Sequence, residues 1–105
     1  MTKITPEQID TDIIKLKSSV HKCLISIRNY KGAIEKERLE QEELRELVEN
    51  PGDYKVEALE RNVEACDKHI AEFEATIEGE HKAINEYSRI IKTLESKKCQ
   101  LETML

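Results

Sequence analysis

Two pairs of side chains in this sequence have a spacing that could do chemistry. Cys66 and His69 stand three residues apart, and so do Glu78 and His81. Residues three apart share a helix face, so each pair could offer two ligands to one metal ion. Glu78-x-x-His81 has the spacing of a di-iron helix motif, which takes a second copy and two further inward glutamates. The sequence holds no second copy. Cys66 and His69 would need two more convergent ligands to hold zinc, and no second pair has suitable spacing. The expectation is no metal site. Cys23, Cys66 and Cys99 lack a recognisable Cys–His nucleophile signature, and there is no glycine-rich phosphate loop. No catalytic residue and no cofactor is expected, and the chain reads as a non-enzyme.

Long helices must position whatever these residues do. Charged residues make up 37% of the 105 and aromatics 4%, with three Gly, two Pro and no Trp. Few helix breakers and regular aliphatic spacing are the composition of long helices or coiled coil. The start signal is complete: Thr5 as N-cap, Pro6 at the first helical position, Gln8 as the capping-box partner, and Ile4 with Ile9 as a hydrophobic staple. A heptad stripe then runs through Ile9, Ile13, Leu16, Val20, Cys23, Ile27, Tyr30, Ile34, Glu37, Gln41, Leu44 and Val48. A seam this long needs a partner helix. Helix one is predicted over 6–49, about 65 Å at about 1.5 Å per residue.

Asn50-Pro51-Gly52-Asp53 is the strongest punctuation in the chain. A turn over 50–53 with Asp53 as the next cap predicts helix two over about 54–78. The stripe resumes at Val56, Leu59, Val63, Cys66, Ile70, Phe73, Ile77, Glu80, Ile84, Tyr87, Ile91, Leu94, Lys98, Leu101 and Leu105. A short turn makes the helices antiparallel neighbours, so facing seam residues have numbers summing to about 103–104. The predicted pairs are Val48 with Val56, Ile34 with Ile70, Tyr30 with Phe73 and Ile27 with Ile77. Polar layers coincide too, Glu37 facing Cys66 and Gln41 facing Val63. At Glu78-Gly79-Glu80 a third helix over about 81–105 competes with a second helix continuous through Gly79. Ile14, Leu24, Ile25, Leu39, Leu47 and Ile90 lie off the two-helix seam, where a third helix could cover several.

Net charge is −5, which argues against a nucleic-acid partner. Residues 1–34 carry six Lys/Arg against three Asp/Glu and 82–105 five against three, whereas 35–53 and 54–81 each carry three against eight. Both ends are basic and the middle is acidic. The basic cluster Lys15, Lys17, Lys22 and Arg28 is the first candidate partner-binding surface. The acidic stretch Glu35–Glu49, with Glu40 and Glu43, is the second. For any single one of these residues the simpler role is to solvate a helix face. No apolar run approaches a membrane span, Met1–Lys3 does not begin a signal peptide, and an odd cysteine count suits free thiols. The expectation is a cytoplasmic single helical domain, a monomer before a dimer, with no membrane partner.

One stretch resembles a known family. Lys15-Leu16-Lys17-Ser18-Ser19-Val20-His21-Lys22-Cys23-Leu24 is similar to the first-helix pattern of the tubulin-binding cofactor A family, small helical chaperones that hold β-tubulin during folding. The spacing from that stretch to the turn matches as well. Gly52-Asp53-Tyr54, followed by Val56, resembles the family's turn ending in a tyrosine. Cys66 with Asp67 and His69 is similar to a family segment of clustered Asp and Cys. The resemblance covers roughly 13–75; the proline often found within the family's second helix is absent, and the segment linking helices two and three is hardly present. It implies an all-α, antiparallel three-helix bundle, noncovalent binding of β-tubulin through helix faces, no nucleotide, and a cytoskeleton-associated location. The alternatives are a two-helix antiparallel hairpin for the fold, and for function a structural coiled-coil dimerisation or tethering module. A prefoldin-like chaperone subunit is a third reading, which would need strand-forming segments between the helices.

Overall fold

The computed structural model describes residues 4–104; the opening Met1–Lys3 and the seam position expected at Leu105 lie outside the described residues. Two helices account for nearly all of it: α1, Pro6–Glu49, and α2, Val56–Thr103. No strand occurs among the described residues. The fold is all-α. α1 begins as its sequence dictates. The Gln8 amide donates to Thr5 Oγ1 at 3.2 Å, and the Ile9 amide donates to the Thr5 carbonyl at 3.1 Å. The cap therefore satisfies amides that a helix start leaves orphaned. Ile9 is 1% exposed, whereas Ile4, its expected staple partner, is 51% exposed.

The chain divides into two compact units, one built from Ile27–Gly79 and the other from Met1–Ser26 with Glu80–Leu105. Within Ile27–Gly79 the turn brings the end of α1 back along the start of α2. The predicted register holds: Tyr30 and Phe73 have ring centroids 5.7 Å apart at 40°, and Gln41 Nε2 donates to the Val63 carbonyl at 3.0 Å. Ile27, Ile34, Leu59 and Cys66 are buried on this seam. Within the other unit Ile9, Ile13 and Ile91 form the core, with Leu16, Val20, Leu94 and Leu101 against it. Lys98 Nζ, at a polar seam position, sits 2.7 Å from Asp10 Oδ1. That hydrogen bond holds the ammonium pKa above its ordinary value.

Two boundaries differ from the sequence expectation. α2 starts at Val56 rather than at residue 54, and Asp53 does not cap it. The Tyr54 amide instead donates to the Pro51 carbonyl at 2.9 Å, closing a tight turn over Gly52 at φ 57°. The first helical carbonyl is then that of Lys55, which accepts from Ala58 and Leu59. The second difference is the three-helix division. α2 is one helix from Val56 to Thr103, which fits the alternative of a continuous second helix. Gly79 has no positive φ, and the stripe stays in phase from Ile77 through Glu80 to Ile84. One glycine costs a helix only about 1 kcal/mol relative to alanine, too little to break it.

This continuity predicts opposite outcomes at two glycines. An added Cβ at Gly79 meets nothing within 4 Å, so Gly79→Ala should raise stability by about 0.5–1 kcal/mol in denaturant melts. Gly52→Ala places a Cβ on a left-handed residue and should cost about 1–2 kcal/mol. Destabilisation by Gly79→Ala would contradict the unbroken helix.

Candidate functional site

All six residues expected to meet a partner are exposed: Lys15, Lys17, Lys22, Arg28, Glu40 and Glu43. The unit of Met1–Ser26 and Glu80–Leu105 holds the three lysines. At 3.6 residues per turn, Lys15 and Lys22 stack on one flank of α1 and Lys17 falls on the other. Between those flanks, on the side away from the seam, lie Ile14, 67% exposed, and Ile25, 38% exposed. None of the three lysines forms an ion pair among the described residues. Exposed apolar groups rimmed by charge are the usual composition of a protein-binding face.

Arg28 belongs to the other unit, where it lines an open groove with Lys31, Glu35, Arg38 and Glu74. Arg38 and Glu74 pair at 3.4 Å with both side chains more than half exposed; such pairs contribute little. Glu43 is exposed on α1 and so is Leu39, at 62%. Charge divides between the units: nine Lys/Arg against seven Asp/Glu in the first, eight against fifteen in Ile27–Gly79. The acidic middle expected from the sequence is thus one packed unit.

Inside Ile27–Gly79 the seam carries a polar layer. Gln41, 5% exposed, donates from Nε2 to the Val63 carbonyl and, at 2.6 Å, to Asp67 Oδ1. One turn earlier on α1, Glu37 Oε1 lies 3.3 Å from His69 Nδ1. Glu37 also faces Cys66, as the register predicted. Burial pushes the Cys66 thiol up, and its hydrogen bond to Glu37 with the charges of Glu37, Glu40 and Asp67 pushes it further. A similar layer occurs in the other unit, where Glu80 accepts from the Cys23 thiol and raises its pKa. The three cysteines are free. Alkylation of the native protein should run Cys99 first, Cys23 next and Cys66 last, because exposure falls in that order. Mass spectrometry of quenched time points reads the order, and early labelling of Cys66 would show that the layer opens.

The sequence pairs Cys66 with His69 on its own helix and with Glu37 across the seam. The structure adds Glu40, whose carboxylate oxygen lies within 4.8 Å of both the Cys66 sulfur and a Glu37 oxygen. Glu40 is off the heptad seam, so periodicity gives no sign of this approach. Glu37 and Glu40 are three residues apart on α1 and Cys66 and His69 three apart on α2, a pairing visible only once the register is known. Neither protein-family models, curated proteins nor solved structures give a match to this chain.

Proposed function

We propose that this chain is a helical binding protein that holds β-tubulin noncovalently, without nucleotide, through an exposed face of α1. The observation that carries the reading is the coincidence of two features. The stretch Lys15–Leu24, which resembles the tubulin-binding cofactor A family, is also where exposed Lys15, Lys17 and Lys22, without an ion pair among the described residues, flank exposed Ile14 and Ile25. Apolar area supplies the driving force for association and the lysines supply orientation and on-rate. β-Tubulin is an acidic client, which suits a basic face. The division of α2 at Gly79 into two helices forms no part of this reading, since the face belongs to α1.

A pull-down tests it. Full-length protein on a solid support, exposed to cytosolic extract without added nucleotide, should retain β-tubulin detected by antibody. Absence of β-tubulin alongside capture of the protein by itself would favour the alternative of a coiled-coil dimerisation or tethering module. One observation favours that alternative: Ile14, Leu24, Ile25 and Leu39 all stay exposed on α1, as a helix awaiting another helix would leave them. Sedimentation equilibrium separates the two, because the tubulin-binding reading expects a monomer and the alternative a concentration-dependent dimer. The prefoldin-like reading has less to stand on, since Pro51–Lys55 is a turn without strand.

A further inference from the structure

The Glu37, Glu40 and Cys66 ligand atoms converge within 4.8 Å of one another from two helices. Three features set this layer apart from a chance meeting of surface acids. The donors are mixed, one sulfur and two carboxylates, with an imidazole alongside. The sulfur is deep in the seam, Cys66 being 6% exposed, and the Glu37 side chain is only 20% exposed. The donors are drawn from both helices, Glu37 and Glu40 from α1 and Cys66 from α2.

We propose that Glu37, Glu40, Cys66 and His69 form a binding site for a borderline-soft divalent cation of the zinc class, which staples α1 to α2 across the polar layer of Ile27–Gly79. The site goes beyond the proposed β-tubulin reading and does not depend on it. Zinc takes thiolate, imidazole and carboxylate together, at about 2.0–2.3 Å and in tetrahedral array. Two ligands of one such ion stand about 3.3–3.8 Å apart by the geometry of that array. His69 Nδ1 and Glu37 Oε1 are already 3.3 Å apart, a tetrahedral edge. His69 stands outside the 4.8 Å grouping of Glu37, Glu40 and Cys66, so it completes the site by turning its exposed imidazole toward the other donors, while exposed Glu40 closes in from α1 by side-chain rotation. The Cys66 sulfur binds as thiolate, and its proton passes to solvent as the metal–sulfur bond forms.

The molecule carries its own control. Cys23 faces Glu80 in a matching layer of the other unit, yet no third donor converges there among the described residues. A metal bound through any exposed acid or any cysteine would not distinguish these layers.

The test uses reduced full-length protein titrated anaerobically with Co²⁺ and then with Zn²⁺. One equivalent of Co²⁺ should give the near-ultraviolet thiolate-to-metal band and the visible bands of a tetrahedral site, and Zn²⁺ should displace it. Cys66→Ser should abolish the thiolate band, while Cys23→Ser and Cys99→Ser keep it. Glu40→Gln alters an exposed side chain, so helical content by circular dichroism should be unchanged, and Zn²⁺ affinity should fall about tenfold or more. Zn²⁺ should raise the Tm of the parent and not of Cys66→Ser. A parent without the thiolate band, a band that survives Cys66→Ser, or a Glu40→Gln variant that binds Zn²⁺ as the parent does would each overturn the site.

Discussion

Ile9→Ala and Ile34→Ala should each lower unfolding free energy by about 2–5 kcal/mol, while Lys36→Ala should change it by no more than about 0.5 kcal/mol. Ile9 is 1% and Ile34 6% exposed; truncating either removes apolar contact and leaves a cavity that a two-helix seam fills only by moving backbone. Each effect is a large share of the roughly 5–15 kcal/mol that holds a domain together. The two isoleucines belong to different compact units, so the pair of variants tests both seams. Lys36 is exposed, and its removal takes away only solvated charge. Leu39→Ala is the sharper control: Leu39 is 62% exposed, and an equal loss there would mean that apolar type rather than burial sets the stability. Urea melts followed by circular dichroism read all four.

Reversing Lys15, Lys17 and Lys22 to Glu together should weaken β-tubulin capture by about 10–100-fold at low ionic strength. Exposed charge pairs contribute about 0.2–1 kcal/mol each, reversal turns attraction into repulsion, and about 1.4 kcal/mol is tenfold in affinity. The loss should lie chiefly in association rate, which long-range charge governs. It should shrink at physiological salt, where fields decay over about 8 Å. Folding should survive, since none of the three lysines forms an ion pair among the described residues. A triple variant that folds and captures β-tubulin like the parent at low salt would place the binding surface elsewhere.

The parts of this fold legible in the sequence are those that periodicity and sterics over-determine. Thr5-Pro6-x-Gln8 has one reading as a helix start, and the amide of Gln8 does bond Thr5 Oγ1. A heptad stripe on each side of a proline turn leaves one register, which is why Tyr30 meets Phe73 and Gln41 meets Val63. The exposure of Ile14, Leu24, Ile25, Leu39 and Ile90 follows from the same count. Leu47, expected on the same wet surface, is half-buried. Boundaries decided by one local hydrogen bond were not legible. Asp53 is as good a cap by type as any, yet the turn closed by Tyr54 on Pro51 moves the helix start to Val56. Gly79 between two glutamates reads equally as a stop and as a tolerated interior residue, and only about 1 kcal/mol separates the two. The facing of Glu37 and Cys66 was legible from the register, but the convergence of Glu40 and His69 on that layer was not. Its donors are split between helices, and Glu40 reaches it from off the seam through a flexible side chain.

The central claim is that the face carrying Lys15, Lys17, Lys22, Ile14 and Ile25 receives β-tubulin. Size-exclusion chromatography with light scattering, on purified full-length protein mixed with purified β-tubulin and no added nucleotide, tests it most directly. The account predicts a new peak holding one copy of each chain, with the free protein eluting as a monomer. β-Tubulin eluting unchanged, with this chain alone or paired only with itself, would contradict it.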